Sequence, residues 1–450
     1  MLRGTGRILS MTEKTESAAT DNARKNPGTA ALSAGDTLEL EVTGIAHGGL
    51  SIARHEGRVV FVADTLPGER VRARLTEVKK SFARATAVSV VEASPKRQDH
   101  IWAEASINRQ PEMRVGGAEF GHIELSHQRE LKAQVLADAM RRQAKLNSEI
   151  ATAAVIEALP GDDDAGLGWR TRVRLHVDPE TGRVGPYAAR SHRVIPVKSL
   201  PLAVPELAPL APLNDLLPDA QHVDLVAPSG DDPRLLITHR GEKTAVGAGD
   251  VITEYAAGLP FRVRAGGFWQ VHREAASTLF EQVASAVEWL GDAVDPAAAN
   301  LDLYGGVGLL VGGFIAGSDS RARITSIESD EAATDLAAEN LATAPGAQTL
   351  NAKTEDYLAD LLRSSGVVRQ RVNRGTVVLD PPRSGAGGRV TAQLLELAPQ
   401  NIIYVACDPV ALARDTQTLV TGGYELTALR GFDLFPHTHH FESIAIFERI

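Results

Sequence analysis

NLDLYGGVGLL, residues 300–310, joins a short apolar run to a turn that holds three glycines. The apolar run predicts a strand, and the glycines allow positive φ angles and a close approach of the backbone to a ligand. A strand that ends in such a turn is typical of the ligand crevice of an open α/β sheet, although the turn can equally be a tight connection.

The chain on both sides of this stretch alternates between helical and strand patterns. Helical spacing occurs in FEQVASAVEWL and TAQLLELAP, and short apolar runs occur in ITSIES, GTVVLDPP and NIIYVACD. Alternation of this kind predicts a mostly parallel, doubly wound sheet. We therefore expect residues 261–450 to form a Rossmann-like α/β domain.

Polar side chains end three of these predicted strands. Glu328 follows the glycine turn by some twenty residues, the position from which a carboxylate accepts hydrogen bonds from ribose hydroxyls. Asp380 ends VVLD, and the two prolines after it stiffen the loop, although an Asx turn is an alternative use of this aspartate. Cys407 follows IIYVA, before a helical stretch opened by Asp408 and Pro409, and a small buried hydrophobe is its alternative role. We expect these groups to meet at one sheet edge.

Composition limits the classes of protein to which the chain can belong. One cysteine in 450 residues excludes an internal disulfide and a four-cysteine metal cage, and it favours the cytoplasm. No apolar run approaches the length of a membrane span. The net charge of −10 argues weakly against a nucleic-acid partner, but binding depends on local patches. Residues 1–33 read as a disordered tail, in which Met1 or Met11 is the start.

Residues 34–94 follow a period of two in five short runs separated by glycine-rich turns. Such a pattern predicts a small closed β-barrel of the oligonucleotide-binding type. Its basic residues face only Glu77 and Glu92 in the nearby sequence, so we expect a basic stripe that follows a single-stranded nucleic acid, with a solvated surface as the alternative. The stripe consists of Arg70, Arg72, Arg74, Lys79, Lys80, Arg84, Lys96 and Arg97.

Residues 95–260 predict a mixed α+β domain. The run from Ser126 predicts a helix capped by that serine. Residues 169–197 alternate like a hairpin, and their arginines suit phosphate contacts, although a solvated hairpin explains them equally well. The acidic run at 161–166 is expected to be a loop, because consecutive aspartates lack the spacing of metal ligands. The hairpin arginines are Arg170, Arg172, Arg174, Arg183, Arg190 and Arg193.

A thiol beside carboxylates suits the methylation of uracil at carbon 5. A thiolate that adds to carbon 6 converts the ring to an enolate, whose carbon 5 attacks an electrophilic methyl group. A base then removes the carbon-5 proton, and Glu442, before the last apolar run, is the candidate. The mechanism needs a Cys407 thiolate, so we expect a pKa below about 8.5, with a contribution from the start of the following helix.

The chain resembles known families in several motifs. TLPGERVRARL and KKSFARA resemble the TRAM domain, an RNA-binding barrel. Residues 35–450 resemble the uracil-5 RNA methyltransferases, on the basis of FWQVH (268–272), DLYGGVG (302–308), DPPRSG, YVACDP and HTHHFES. The resemblance implies a barrel, a central domain and a methyltransferase domain that uses S-adenosylmethionine. It implies a tRNA or ribosomal RNA substrate, and we expect a cytoplasmic monomer with no membrane contact.

The resemblance also assigns roles to individual residues. It implies that Cys407 is the nucleophile and that Glu442 removes the carbon-5 proton. It places the remaining site residues around the cofactor and the target uracil. These are Gln270, Tyr304, Glu328 and Asp380.

Several positions depart from the family pattern. Many members hold a four-iron, four-sulfur cluster on four cysteines, whereas RVGGAEFGHIELSHQ and VKSLPLA contain none, so we expect no cluster. Gly305 replaces the usual cysteine, Leu309 replaces a polar residue, and Lys353 replaces an aspartate or asparagine. These changes affect the expected cofactor contacts. The histidines of HTHHFE are expected to pack at a strand edge rather than to bind metal.

Two other functions remain open from the sequence. An amino-methyltransferase of exocyclic base nitrogens needs no covalent nucleophile, but its motif places an aromatic residue where Arg383 stands, and Cys407 would be idle. A non-catalytic RNA-binding protein with a degenerate cofactor site is favoured by Leu309 and Lys353 and opposed by Cys407.

Overall fold

The structure is a computed structural model that describes residues 32–450. Residues 1–31, which include most of the predicted tail and both candidate start methionines, lie outside the described range.

A closed five-stranded barrel forms the N-terminal part of the described chain, as predicted. Its strands follow the order β1-β2-β3-β5-β4, and their alternate apolar side chains, such as Val42, Val60 and Val71, fill the interior. Period-two apolar patterning therefore places one face of every strand inside the barrel. The strands are β1 (Thr37–Ala46), β2 (Leu50–His55), β3 (Arg58–Ala63), β4 (Arg70–Val78) and β5 (Phe82–Glu92).

The basic stripe predicted on this barrel is wrong in its charge balance. Arg70 pairs with both Glu39 and Glu92, on the strands beside its own. The prediction counted acidic residues near in sequence and missed those that adjacent strands and the following segment bring close. The other pairs are Arg74–Glu112, Lys79–Glu77, Arg84–Glu77, Lys96–Glu124 and Arg97–Glu69. Within residues 32–450, Arg72 and Lys80 are the stripe members without an ion pair.

The segment after the barrel is mixed α+β, and it includes the predicted hairpin. A four-stranded sheet has the order β10-β9-β7-β8, and β11 pairs with β12 in a separate ribbon. The elements are α1 (Leu125–Ala139), α2 (Glu149–Thr152), β6 (Ile156–Glu157), β7 (Arg172–Val177), β8 (Val184–Gly185), β9 (Ala220–Val226), β10 (Arg234–His239), β11 (Val251–Ala256) and β12 (Leu259–Arg264). Short 3₁₀ turns cover Ala103–Ala105, Pro111–Met113 and Pro205–Leu210, and a π-helical turn, Met140–Ala144, continues α1.

The predicted serine cap of α1 is wrong. The helix begins one residue earlier, at Leu125, and Glu124 occupies the cap position without a side-chain hydrogen bond. The first turn is held instead by the segment before it, since the Glu124 N–H donates to the Lys96 carbonyl at 3.0 Å. The acidic run at 161–166 is a loop, as expected.

The C-terminal part is a doubly wound α/β sheet, as predicted. Its order is β15-β14-β13-β16-β17-β19-β18-β6, with β13 to β17 parallel and β19 antiparallel to both neighbours. The elements are α3 (Ala275–Leu290), β13 (Asn300–Leu303), α4 (Leu309–Gly317), β14 (Ile324–Glu328), α5 (Glu331–Asn340), β15 (Ala347–Asn351), α6 (Thr354–Arg363), α7 (Gly366–Asn373), β16 (Thr376–Leu379), α8 (Gly387–Leu397), β17 (Asn401–Ala406), α9 (Pro409–Thr421), β18 (Tyr424–Phe432) and β19 (Glu442–Arg449).

The three parts of the chain are in extensive contact with one another. Strand β6, from the central segment, pairs with β18 at the edge of the C-terminal sheet. Ile45 and Leu66 of the barrel pack on Phe120 and Leu131 beside and within α1. The predicted boundary at residue 260 falls inside β12. The division into domains at 34–94, 95–260 and 261–450 stays a prediction. No helix in residues 32–450 is both long and apolar enough to span a bilayer.

Candidate active site

The parallel strands bring four of the predicted site residues to one edge of the sheet. Tyr304 directly follows β13, Glu328 ends β14, Asp380 follows β16 and Cys407 follows β17. These strands are adjacent and in register, with Leu303 opposite both Ile327 and Leu379. Their carboxyl ends therefore form one crevice, where open α/β sheets bind ligands.

Glu442 reaches the same edge because β19 runs antiparallel to β17. Ala406 pairs with Ser443, so the register sets Glu442 opposite Cys407. The Glu442 side chain is buried, and among the described residues its Oε1 has no hydrogen-bond partner. A buried carboxyl oxygen without a partner is costly in free energy. Its position opposite the lone thiol makes Glu442 a candidate for chemistry at this edge.

The carboxyl groups at this edge hold their protons unusually tightly. Burial and the nearby Asp380 raise the pKa of Glu442 well above its ordinary value. Burial and the nearby Asp302 raise the pKa of Asp380 to about 7. Burial raises the pKa of Asp302 to about 7 as well, against the hydrogen bond that Ser326 Oγ donates to it at 2.7 Å. Several carboxyls in a low-dielectric space cannot all be ionised at once.

The expected low pKa of Cys407 is wrong for this structure. Burial, followed by the charges of Glu442 and Asp380, raises the thiol pKa to about 12, and Arg383 only partly offsets this. The start of α9 is occupied by Asp408, whose Oδ1 accepts hydrogen bonds from Val410 N–H and Ala411 N–H at 3.0 and 2.8 Å. The helix N-terminus therefore stabilises its own cap rather than a thiolate.

The glycine turn after β13 has the conformation predicted from its sequence. Tyr304, Gly306 and Gly308 have φ angles of 65°, 53° and 89°. The Gly306 N–H donates to Glu328 Oε2 at 3.0 Å, which fixes the carboxylate beside the turn. A Cβ on Gly306 would meet no atom within 4 Å, so the turn borders open space into which a ligand can enter.

Gly305, the departure from the family cysteine, has a steric reason. A Cβ at this position would overlap Ser326 Oγ and the Asp302 carboxylate, which are hydrogen-bonded to each other there. Leu309 is buried in the apolar core at the start of α4, so it does not supply a polar contact. Lys353 is exposed at the N-cap of α6.

Gln270 is the predicted site residue that the sheet does not bring to the edge. It lies half-buried in the irregular segment between β12 and α3. This segment contacts the central part of the chain, where His272 stacks on Trp169 at 5.4 Å. Trp169 also contacts Phe435 in the loop before Glu442. The role of Gln270 in the site therefore stays a prediction.

The sequence analysis missed the groups that hold the loop before Glu442. Lys132 and Asp433 form a buried ion pair at 2.5 Å. Gln128 accepts the His437 backbone N–H at 2.8 Å and contacts its ring at 3.0 Å, which supports a φ of 65°. Gln128 and His437 are 309 positions apart in the sequence. The available signal for these contacts was the presence of polar residues on the buried face of α1. No group of side chains that could hold a metal ion occurs in residues 32–450.

Family comparisons match both ends of the chain. Residues 32–88 match the model of the TRAM domain. Residues 328–450, which include Asp380, Cys407 and Glu442, match the model described as tRNA (Uracil-5-)-methyltransferase.

Known proteins resemble almost the whole chain. A protein named "uncharacterized RNA methyltransferase" from Streptomyces avermitilis is 36% identical, over 92% of this chain and 98% of its own. The 23S rRNA (uracil(1939)-C(5))-methyltransferase RlmD of Photorhabdus laumondii is 29% identical, over 89% and 94%. The solved structure of the Pyrococcus abyssi tRNA (uracil-54, C5)-methyltransferase, in complex with S-adenosyl-L-homocysteine, shares the fold, with 18% identity, a TM-score of 0.62 and coverage of 91% and 100%.

Proposed function

The chain belongs to the TRAM-containing uracil-5 RNA methyltransferases, and we propose that it transfers a methyl group to carbon 5 of a uridine in ribosomal RNA. One observation carries the reaction type: the only thiol of the chain lies opposite a buried carboxyl group across the β17–β19 pair. Relatives named as 23S rRNA methyltransferases, similar over most of the chain, support ribosomal RNA over tRNA.

The crevice fits S-adenosylmethionine, which would supply an electrophilic methyl group. The glycine turn at residues 305–308 offers open space at the end of β13, and Glu328 is held beside it for a ribose. We assign Tyr304 to the same ligand, because it directly follows β13 and opens the glycine turn with a φ of 65°. Asp380 and Gln270 complete the proposed contacts to cofactor and uracil.

Cys407 starts the reaction by adding to the base. Its sulfur bonds to carbon 6, and the double-bond electrons move toward carbon 4 and its oxygen, which makes carbon 5 nucleophilic. A thiol with a pKa of about 12 carries its proton at neutral pH, so the proton must leave as the bond forms. Asp380, whose pKa of about 7 leaves it partly ionised, is the proposed acceptor.

Glu442 completes the reaction. After carbon 5 carries its methyl group, Asp380 holds the thiol proton, so its charge no longer raises the pKa of Glu442, which favours the ionised form of Glu442. The Glu442 carboxylate removes the carbon-5 proton, the electrons re-form the double bond, and the sulfur leaves carbon 6 and recovers its proton from Asp380. A carboxylate whose pKa is raised by burial is a stronger base than an exposed one, which suits a carbon-bound proton. The lack of a hydrogen-bond partner on Oε1, within the described part of the chain, leaves one oxygen free for this step.

We also propose that the central part works without an iron–sulfur cluster. A chain with one cysteine cannot supply four thiolates. Val115 and Ala118, in the segment where other members hold the cluster, pack with Trp102 and Trp169 in an apolar core. In this proposal, apolar side chains pack the segment that corresponds to the cluster site of those members.

One observation favours a second candidate, a non-catalytic RNA-binding protein. The raised pKa of Cys407 describes a thiol that is inert in the free protein. Calorimetry with S-adenosylmethionine separates the candidates, because a degenerate cofactor site predicts no binding.

The experiment that tests the proposed function locates the product. The protein is incubated with S-adenosylmethionine and 23S rRNA from cells that lack the gene, and the digested RNA is analysed by mass spectrometry. We expect 5-methyluridine at a single uridine that is unmodified in those cells. A methyl group on an exocyclic nitrogen, or no methyl group in the 23S rRNA, contradicts the proposal.

A further inference from the structure

The turn between β1 and β2 of the barrel contacts both loops that carry the proposed catalytic residues. His47, directly after β1, lies 2.9 Å from Asp408, the residue that follows Cys407. Gly49, two positions later, packs against the His439 side chain, three positions before Glu442. One turn of a distant part of the chain therefore bridges the two halves of the site.

Asp408 divides its two oxygens between α9 and the barrel. Its Oδ1 caps α9 through two backbone N–H groups, whereas its Oδ2 contacts His47 Nε2. The hydrogen bond with Asp408 also raises the pKa of His47, which favours the charged form of the pair. Because the carboxylate is held from both sides, the backbone at Cys407 is fixed relative to the barrel as well as to its own helix.

The contact between Gly49 and His439 is tightly packed. A Cβ on Gly49 would lie 3.0 Å from His439 Cβ, a tighter approach than ordinary side-chain packing. The His439 ring lies 3.9 Å from the His440 ring, centroid to centroid, and its Nδ1 lies 3.6 Å from Glu119 Oε2. A shift of the turn would therefore be transmitted to the residues directly before Glu442.

Attachment of the barrel does not depend on this turn. The apolar cluster of Ile45, Leu66, Phe120, Ile123 and Leu131 joins the barrel to α1. The buried Arg114 adds a second connection, since its guanidinium contacts Asp64 of the barrel at 2.5 Å. The His47–Asp408 pair is partly exposed, with side-chain exposures of 45% and 22%, and such a pair contributes little to stability.

We propose that His47 is a positioning residue of the methyl-transfer reaction, which orients Asp408 and through it the thiol of Cys407, so that the barrel completes the active site. This inference rests on the proposed function, in which Cys407 attacks the base. It assigns the barrel a part in the chemical step in addition to RNA binding. The expected consequence is a change in the rate of chemistry at unchanged RNA affinity.

His47→Ala, His47→Gln and His55→Ala test the inference in the full-length protein. Glutamine keeps a nitrogen donor near the Nε2 position, and His55, at the end of β2, has no ion pair in residues 32–450. We expect His47→Ala to lower the single-turnover rate with saturating RNA by about tenfold, the scale of small misplacements of reacting groups. The RNA dissociation constant should stay within about twofold, and His47→Gln should recover most of the rate.

A glycine pair tests the same idea independently. Gly48 and Gly49 have φ angles of 83° and 72°, so alanine strains the backbone at either position. A Cβ on Gly48 meets nothing within 4 Å, whereas one on Gly49 presses on His439. We expect Gly49→Ala to slow the chemical step several-fold more than Gly48→Ala.

The outcomes separate this inference from the proposed function. A wild-type protein that forms no 5-methyluridine refutes the proposed function itself. An active wild type with an equally fast His47→Ala variant overturns the positioning role. Parallel losses of rate and RNA affinity in His47→Ala also overturn it, because His47 would then be an RNA contact. Should His47→Ala fail to fold, equal rates in the two glycine variants overturn it instead.

Discussion

The barrel and the carboxyl edge of the C-terminal sheet are both rich in charged groups, but they treat those groups in opposite ways. On the barrel, Arg70 and Arg74 lie on the surface and pair with carboxylates from neighbouring strands and segments. At the sheet edge, Asp302 and Glu442 are buried, near other carboxyls and with oxygens that lack partners within the described chain.

Arg70 and Arg74 of the barrel are paired with opposite charges, whereas within residues 32–450 the buried carboxyl groups at the sheet edge have no oppositely charged partner that lowers their pKa. Exposed ion pairs change stability little, and they can be rearranged without harm. Buried carboxyls with raised pKa values reduce stability at neutral pH, so a fold retains them where they have a use. The contrast supports the proposal that the sheet edge is the reactive part of the molecule and that the barrel contributes RNA binding and positioning.

Replacement of the thiol should produce the largest effect of all. We expect Cys407→Ala to reduce methyl transfer by more than about a thousandfold, because the variant lacks the nucleophile. Affinity for S-adenosylmethionine, measured by calorimetry, should stay unchanged, since the proposed cofactor contacts lie on other strands. A variant that still methylates RNA would return Cys407 to the role of a buried hydrophobe.

Alkylation of the lone cysteine measures how the sheet edge suppresses ionisation. With a pKa of about 12, the Cys407 thiol should react with iodoacetamide at a rate that still rises with pH at about pH 10. Glu442→Gln removes one of the charges that raise the pKa, so its profile should move to lower pH. Cys407→Ala supplies the background. A wild-type rate that levels off by about pH 10, as expected for a pKa of about 8.5, would show an ordinary thiol.

The free energy of unfolding should decrease as pH rises, because of Asp302. Its pKa rises from about 3.9 in the unfolded chain to about 7 in the folded state, so the folded state binds the proton more tightly. The resulting stability is complete below about pH 4 and is lost as pH rises through 7. In urea unfolding at pH 8, Asp302→Asn should be more stable than wild type by up to about 4 kcal/mol, the linkage value of a pKa raised from about 3.9 to about 7. The exposed Asp335→Asn is the control, and equal pH slopes would contradict the assignment.

The smallest effect concerns the barrel charges. Arg72 and Lys80, which lack ion pairs in residues 32–450, should contact phosphates more readily than Arg70 and Arg74. Replacing both with alanine should reduce the slope of log Kd against log salt by about 0.7 per lost contact. The matched double replacement of Arg70 and Arg74 should change it less. Equal slopes would mean that RNA displaces the glutamate partners.

The fold and the positions of the proposed site residues could be predicted because each follows from a local pattern in the sequence. Period-two runs marked the barrel, and apolar runs that end in Glu328, Asp380 and Cys407 marked the edge of the sheet. In a parallel sheet, the end of a strand fixes where the next side chain lies.

Partners that are distant in sequence could not be predicted in this way. Arg74 of the barrel pairs with Glu112 from the next segment, and Lys96, just after the barrel, pairs with Glu124. The loop before Glu442 is held by residues of α1. Ionisation also depends on the approach of distant groups, which is why the predicted pKa of Cys407 had the wrong direction. The contact of His47 with Asp408 joins positions that no local pattern connects.

The central claim, that Cys407 and Glu442 act in sequence on one uracil, is tested most directly by trapping the intermediate. Glu442→Gln is incubated with S-adenosylmethionine and substrate RNA and then run on a denaturing gel. Because addition and methylation precede proton removal, the RNA should remain bonded to Cys407 as a slower band that carries the methyl group. The band should be absent from the Cys407→Ala, Glu442→Gln double variant. A folded Glu442→Gln protein that turns over slowly without any adduct would contradict the account and move the base to Asp380.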